Sequence, residues 1–343
     1  MTASAPQITL VDFQTALEST KDPKHVLLGN GFSMACRSDI FAYDKLFERA
    51  DFSSLSSNAQ LAFQRLKTTD FEVVMRALKS AATLIELYGP EETHLAIQLR
   101  NDAEGLRDVL ASAIAQSHPG YPGEIGEDRY RSCRKFLSNF ARMYSVSYDL
   151  LLYWTLMQSA LEPELACDDG FRKCDDPEAG YVTWEPENRY EQNVYFLHGA
   201  LYLFDAGAEL QKYTWVNTGV RLLQQIRQAL ARDLFPLIVA EGDSNSKRDK
   251  ILHSMYLSHA YKSMLSIGGT LFVYGIAFHE NDGHIARIIS RNKGLKGLAV
   301  GVYGHPDSVE NRGMIQKICA VADTHRPPLQ VVFFDAQTAN VWG

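Results

Sequence analysis

Along this chain, short unbroken apolar runs alternate with longer stretches whose apolar residues recur every three or four positions. The first run, "HVLLGNG" (25–31), has no polar alternation, which predicts a strand covered on both faces and ending in a glycine turn. The stretch 52–135 follows the helical period. In "DFEVVMRALKSAATLIELYG" (70–89), Phe71, Val74, Leu78, Ala82 and Ile85 share one face, and the helix closes on Gly89-Pro90. "EETHLAIQLRNDAEGLRDVLASAIAQSHPG" (91–120) repeats the pattern, and "PGYPGEIGED" (119–128) reads as a loop.

Beyond the helical stretch, "ARMYSVSYD" (141–149) predicts a strand and "LLLYWTLM" (150–157) a helix. Residues 162–190, rich in Asp, Glu, Pro, Gly and Cys, read as a long loop, and "NVYFLHGALYLF" (193–204) as a strand. From residue 218 helices and strands alternate. The helices are "VRLLQQIRQALARDL", "KRDKILHSMYLSHAYKSML", "ENDGHIARIISRN" with Asn281 or Asp282 as cap, and "VENRGMIQKICAVAD". The strands are "FPLIVAEG", "GTLFVYGIAF", "GLKGLAVGVYG" and "LQVVFFDA". Such alternation implies the α/β class: a Rossmann-like parallel sheet with helices on both faces and a helical insertion after the first core strand. The core takes residues 1–51 and 136–343, and the insertion takes 52–135. In these sheets ligands sit beyond the carboxyl ends of the strands, near the point where strand order reverses.

Composition narrows the function classes. The 343 residues carry a net charge of −7, are 46% hydrophobic and 22% charged, and are long enough to bury a full core. The acidic balance weighs against a nucleic-acid or anionic-membrane partner. No apolar run approaches the length of a membrane span, and the N-terminus lacks the basic and apolar segments of a signal peptide. Five cysteines without a C-x-x-C pair read as reduced thiols of a cytoplasmic protein. "CDDGFRKC" (167–174) reads as a surface loop, without the second Cys/His pair a zinc site needs. His279-Glu280 with His284 is one residue too long for H-E-x-x-H and contains a glycine, so no metal is expected there.

Four segments at predicted strand ends can carry chemistry. Gly29-Asn30-Gly31-Phe32-Ser33 lets the backbone approach a phosphate, with a helix N-terminus behind it. It lacks the third glycine of the dinucleotide fingerprint and the Gly-Lys-Ser/Thr of a P-loop. Ser145, Ser147 and Asp149 gather at the end of the second core strand, either as a helix cap or around a ligand. His198-Gly199 offers an imidazole as general base or a histidine satisfied at a strand end. Gly275 through Asp282 ends a further strand. Each also has an ordinary structural reading, and their common placement at one edge of the sheet is what suggests a nucleotide site.

That ordered set resembles the sirtuin-like family of NAD-consuming proteins, and more narrowly a zinc-free bacterial branch catalogued mainly as a domain of unknown function. Gly29-Asn30-Gly31-Phe32-Ser33 matches the family's Gly-Ala-Gly-x-Ser loop with Asn for Ala. Ser145-Val146-Ser147-Tyr148-Asp149 stands where relatives carry Thr-x-Asn-Tyr-Asp, His198-Gly199 matches the catalytic His-Gly, and Gly275–Asp282 resembles Gly-Tyr-Ser…Asn-Asp. The resemblance spans residues 25–50 and 136–305. It implies an NAD pocket: Gly29, Asn30, Gly31, Phe32 and Ser33 around the pyrophosphate, Gly275 and Asp282 toward the adenosine half, His198 as general base, and Ser147 and Asp149 beside the scissile bond. Ser147 replaces the family's water-positioning Asn and lacks the amide's two donors; Ala277 replaces a Ser. Zinc-dependent deacetylation is not implied, because only Cys319 follows His198.

The resemblance therefore implies an NAD glycohydrolase, which gives nicotinamide and ADP-ribose and acts in antiphage defence by NAD depletion. It would use NAD as substrate and no metal, and would work as a homo-oligomer or with a defence-system partner protein. The alternatives are a non-catalytic sensor or complex subunit that binds NAD or ADP-ribose, and a purely structural Rossmann-like module.

Overall fold

The structure is a computed structural model that describes residues 8–343 apart from 177, 208, 215–218, 233 and 241–242. In chain order its described strands are β1 (Lys24–Leu28), β2 (Arg142–Ser145), β3 (Phe171–Lys173), β4 (Tyr181–Trp184), β5 (Val194–Phe196), β6 (Leu203–Asp205), β7 (Leu210–Tyr213), β8 (Gly269–Tyr274), β9 (Leu295–Val302) and β10 (Gln330–Asp335). Six of them form a sheet in the order β10-β9-β8-β1-β2-β5, and every neighbouring pair is parallel. Counting only these strands, the order is 3-2-1-4-5-6, the Rossmann arrangement, and the order reverses between β1 and β8.

The apolar runs become central strands because both faces are covered. His25–Leu28 of β1 and all of β8 are buried. On one face, Phe13 of the helix Phe13–Ser19, Phe136 of the helix Glu127–Leu137 and Phe140 pack against Phe272 and Phe334 of the sheet. On the other, Tyr144 stacks on Tyr195 at 4.9 Å and meets Ser263 of the helix Met255–Ser266. No described helix is long and apolar enough to cross a membrane.

The stretch between β1 and β2 is helical, as its period predicts. Asp70 caps the helix Phe71–Tyr88 by accepting from Glu72 N–H at 2.8 Å, and Phe71, Val74, Met75 and Ala82 make its buried stripe. That helix pairs with the 25-residue helix Thr93–Ser117, which stops before Pro119.

Four expectations need correction, and one helix lies outside them. "NVYFLHGALYLF" is not one strand: it leaves the main sheet after Phe196 and turns at Gly199, whose φ is +76°, before β6 begins in a second sheet. A Cβ at Gly199 would lie 1.8 Å from Leu237 O, so the turn needs glycine. "FPLIVAEG" supplies no sheet strand. Its apolar residues bury against that turn, with Val239 N–H donating to His198 O at 2.9 Å and Leu237 N–H to Leu203 O at 2.7 Å; Glu241 and Gly242 lie outside the described residues. Residues 162–190 are not all loop, because β3 and β4 join β7 and β6 in a four-stranded antiparallel sheet. "KRDKILHSMYLSHAYKSML" is two helices, Ser244–His253 and Met255–Ser266, broken at the extended Ser254, whose hydroxyl accepts from Leu257 N–H. The helix Phe13–Ser19, capped by Asp12, has no counterpart in the predicted elements.

Candidate functional site

The exits of β1 and β8 lie side by side at the reversal point and are made of glycine. Gly29 N–H donates to Tyr274 O at 2.9 Å, and Gly31 N–H to Gly275 O at 2.9 Å. A Cβ on Gly29 would stand 2.4 Å from Gly275 O, and one on Gly31 2.5 Å from Gly275 Cα. Gly275 has φ +73°, and its own Cβ would meet Phe32 N at 2.6 Å. Close backbone approach thus requires glycine on both loops, whatever else they bind. The helix Asn30–Phe41 starts from Gly29 without a side-chain cap, and backbone carbonyls take part of its positive end, with Gly31 N–H donating to Gly275 O and Phe32 N–H to Gly29 O.

Above this seam lies a cavity of about 880 Å³. Gly29, Asn30, Gly31, Ser147, Asp149, His198, Gly275 and Asp282 all line it. Phe32 does not: it is buried, its ring 5.1 Å from that of Trp342, whose indole N–H donates to Phe32 O at 2.8 Å. The expectation that Phe32 touches a ligand gives way to packing. Ser33 is also behind the wall, but its hydroxyl reaches the site through its neighbours.

Ser33, Ser147 and Asp149 form a closed, buried network. Asp149 Oδ2 accepts from Ser33 Oγ at 2.5 Å and from Ser147 Oγ at 3.0 Å, and the two hydroxyl oxygens are 3.2 Å apart. Asp149 Oδ1 accepts from Leu151 N–H at 2.8 Å. With both hydroxyl hydrogens spent on the carboxylate, Ser147 presents an acceptor to the cavity. Next to it, His118 Nε2 accepts from Leu150 N–H at 3.2 Å, and its Nδ1 lies 3.1 Å from Pro119 O. The backbone donor thereby places the His118 proton on Nδ1, and burial pulls its pKa down to about 4 despite the attraction of Asp149.

The opposite wall is built from ionisable groups of distant segments. His198 Nε2 lies 2.7 Å from His284 Nε2, and both side chains are buried. Burial, then His284 and Lys247, hold His198 well below the usual imidazole range. Glu72, from the insertion helix, accepts from Lys247 Nζ at 2.5 Å and from Tyr148 Oη at 3.0 Å. Lys247 is fully buried. Asp282 accepts from His279 N–H at 3.0 Å, so of the two expected caps it closes the turn before the helix Gly283–Arg291; the side chain of Asn281 lies outside the described residues. Burial and then the neighbouring Glu72 raise Asp282 to about 6, with Lys247 opposing them. Burial and Glu72 also raise Asp70.

The sequence reading missed Glu72, Tyr148, Lys247 and His284. Two carried a faint signal: Lys247 shares the buried face of its helix with Ile251, and His284 shares one with Ile285, Ile288 and Ile289. Among the described residues no cluster of His, Cys, Asp and Glu is arranged to hold a metal, and the five cysteines are free. The described lining contains four carboxylate side chains (Asp70, Glu72, Asp149 and Asp282) and no Lys or Arg. A ligand's negative groups therefore have no Lys or Arg of the described lining to meet and depend on backbone and neutral donors, while its cationic or electron-poor part is favoured near the carboxylates.

No curated protein matches the chain. The model of a family described as a domain of unknown function (DUF4917) matches residues 26–342, from β1 to the last turn, and the chain belongs to that family.

Proposed function

We propose that this chain is an NAD glycohydrolase of sirtuin-like kind, acting on cytoplasmic NAD in bacterial antiphage defence, as a homo-oligomer or with a partner protein of the same system. The observation that carries the reading is convergence: Gly29–Gly31, Ser147–Asp149, His198 and Gly275–Asp282 come from four strand ends and line one cavity at the reversal of strand order. Its volume, about 880 Å³, lies in the range of roughly 300–1,000 Å³ typical of ligand sites.

The residues fit the substrate in two places. The uncapped start of the helix Asn30–Phe41 suits a pyrophosphate without a basic side chain. The Asp149 carboxylate, which the resemblance puts beside the scissile bond, suits the cationic nicotinamide ring and the positive charge that develops on the ribose as its bond to nicotinamide breaks. Water adds across that bond, and the products are nicotinamide, ADP-ribose and a proton. His198 takes the proton, and the Ser147 hydroxyl oxygen accepts a hydrogen bond from the attacking water or from a ribose hydroxyl.

The test is incubation of purified protein with NAD while free nicotinamide is followed by chromatography. Release is expected, with His198→Ala slowing it by at least about 100-fold. Calorimetric binding of NAD without release, alone or with candidate triggers, would support the sensor reading instead. Absence of binding would end both.

A further inference from the structure

The His198–His284 pair is the one buried imidazole contact in the described cavity wall that the reading above leaves unused. The two Nε2 atoms, 2.7 Å apart, can share only one hydrogen while both rings are neutral. One ring must donate and the other accept, so the pair fixes both tautomers together. His284 is 1% exposed and does not line the cavity, whereas His198 does. With Nε2 at His284, Nδ1 is the ring nitrogen of His198 that has no hydrogen-bond partner among the described residues, and His198 lines the cavity.

We infer that His284 is a positioning residue: its Nε2 accepts the His198 Nε2–H, holding His198 in the tautomer whose Nδ1 lone pair faces the ligand. The reverse arrangement would put a hydrogen on Nδ1 and leave His198 no basic atom toward the cavity. When Nδ1 takes the proton from the attacking water, the positive charge on the ring is stabilised by the His284 lone pair. His284 then plays the part that a carboxylate plays behind a catalytic histidine elsewhere. Burial and Lys247 oppose a charge on His198, and a charge on His284 would oppose it too, so the arrangement requires His284 to stay neutral while His198 takes the proton. The Tyr148 ring is also stacked 6.3 Å from His198, and Asp282 precedes the helix that carries His284.

The inference rests on the glycohydrolase reading for its catalytic half only, so two readouts separate them. Long-range nitrogen–proton spectra of protein labelled at histidine report tautomers without any substrate. The expected result is His198 protonated on Nε2 and His284 on Nδ1, with His198 losing that preference in His284→Phe. In nicotinamide release, His284→Phe is expected to lower kcat by about 100-fold while KM stays within about threefold. His284→Gln, whose amide oxygen can accept the same hydrogen, should recover at least about tenfold of that loss. Thermal melts of both variants show whether they fold. If the phenylalanine variant does not fold, the wild-type spectrum and the glutamine variant carry the test. His198 protonated on Nδ1, or full kcat in a folded His284→Phe, overturns the inference. Wild-type protein that releases no nicotinamide overturns the glycohydrolase reading, and the spectrum still decides the hydrogen's place.

Discussion

The two walls of the cavity are held by different physics. The wall of Gly29–Ser33, Ser147–Asp149 and Gly275 is fixed by backbone contact and by short hydrogen bonds that close on one carboxylate. The wall of Glu72, Tyr148, His198 and Asp282, backed by the buried Lys247 and His284, is fixed by ionisable side chains that each depend on a neighbour's charge or tautomer. The first wall is held by close backbone packing. The second stores electrostatic energy and responds to protons. The proposed cleavage of a charged bond would need both: fixed geometry for the substrate, and groups whose charge can change during the reaction.

The sharpest break in the first wall is Gly275→Ala. The new methyl would press on Phe32 N and Gly31 in a backbone conformation that alanine rarely adopts. A loss of about 5 kcal/mol or more is expected, measured by denaturant unfolding, or no folded protein at all. Near-normal stability would mean that the seam gives way and is not rigid. In the second wall, Lys247→Met leaves Glu72 as a buried, uncompensated charge beside Tyr148. It is expected to cost about 3–5 kcal/mol, and a Glu72→Leu/Lys247→Met double variant should recover most of this. Equal losses in the single and double variants would assign the cost to packing instead of charge.

The smallest expected effect lies in the pH response. Asp282 titrates near 6 in the folded chain and near 3.8 when unfolded, so between those values the folded state holds the extra proton. Its contribution is therefore present at low pH and declines as pH rises from about 4 to about 6. Asp282→Asn keeps an oxygen to accept from His279 N–H and removes the ionisation. The variant should gain roughly 2 kcal/mol relative to wild type between pH 4 and pH 7, read from paired unfolding curves. A difference that stays constant across that window would show that Asp282 is not desolvated in solution.

The contrast between the walls also explains what could be read from the sequence. β1, β8, β9 and β10 announce themselves as apolar runs because both of their faces are covered, and the glycine and serine motifs announce themselves because they sit at the ends of such runs. "FPLIVAEG" carries the same apolar signal for another reason: Ile238, Val239 and Ala240 are buried against the turn at His198–Leu203, and burial alone does not distinguish a strand from a covering segment. The small antiparallel sheet is hidden by strands of three or four residues inside an acidic, proline-containing stretch. The ionisable wall is illegible for a deeper reason. Glu72, Lys247 and His284 lie on three different helices, and nothing local marks them as partners.

The glycine seam bears finally on traffic through the site. Its two loops share a backbone ladder with no room for an atom between them, so the sheet side of the cavity has no local hinge. The rest of the lining includes the helical side, with Tyr43, Asp70, Glu72, Leu110 and Ile114, and Tyr303, Asn311, Met314 and the segment 336–343. The helical side is the one that the ion pairs reach. That side is tied to the core near Glu72 by its bonds to Lys247 and Tyr148, and at the surface by Arg76 and Glu280, 2.9 Å apart. The surface pair is weak and gives way to salt, while the buried one is not screened. On the proposed reading, loosening the Glu72–Lys247 pair would free the helical side of the site from the core, which ties the traffic of a substrate to the insertion helix.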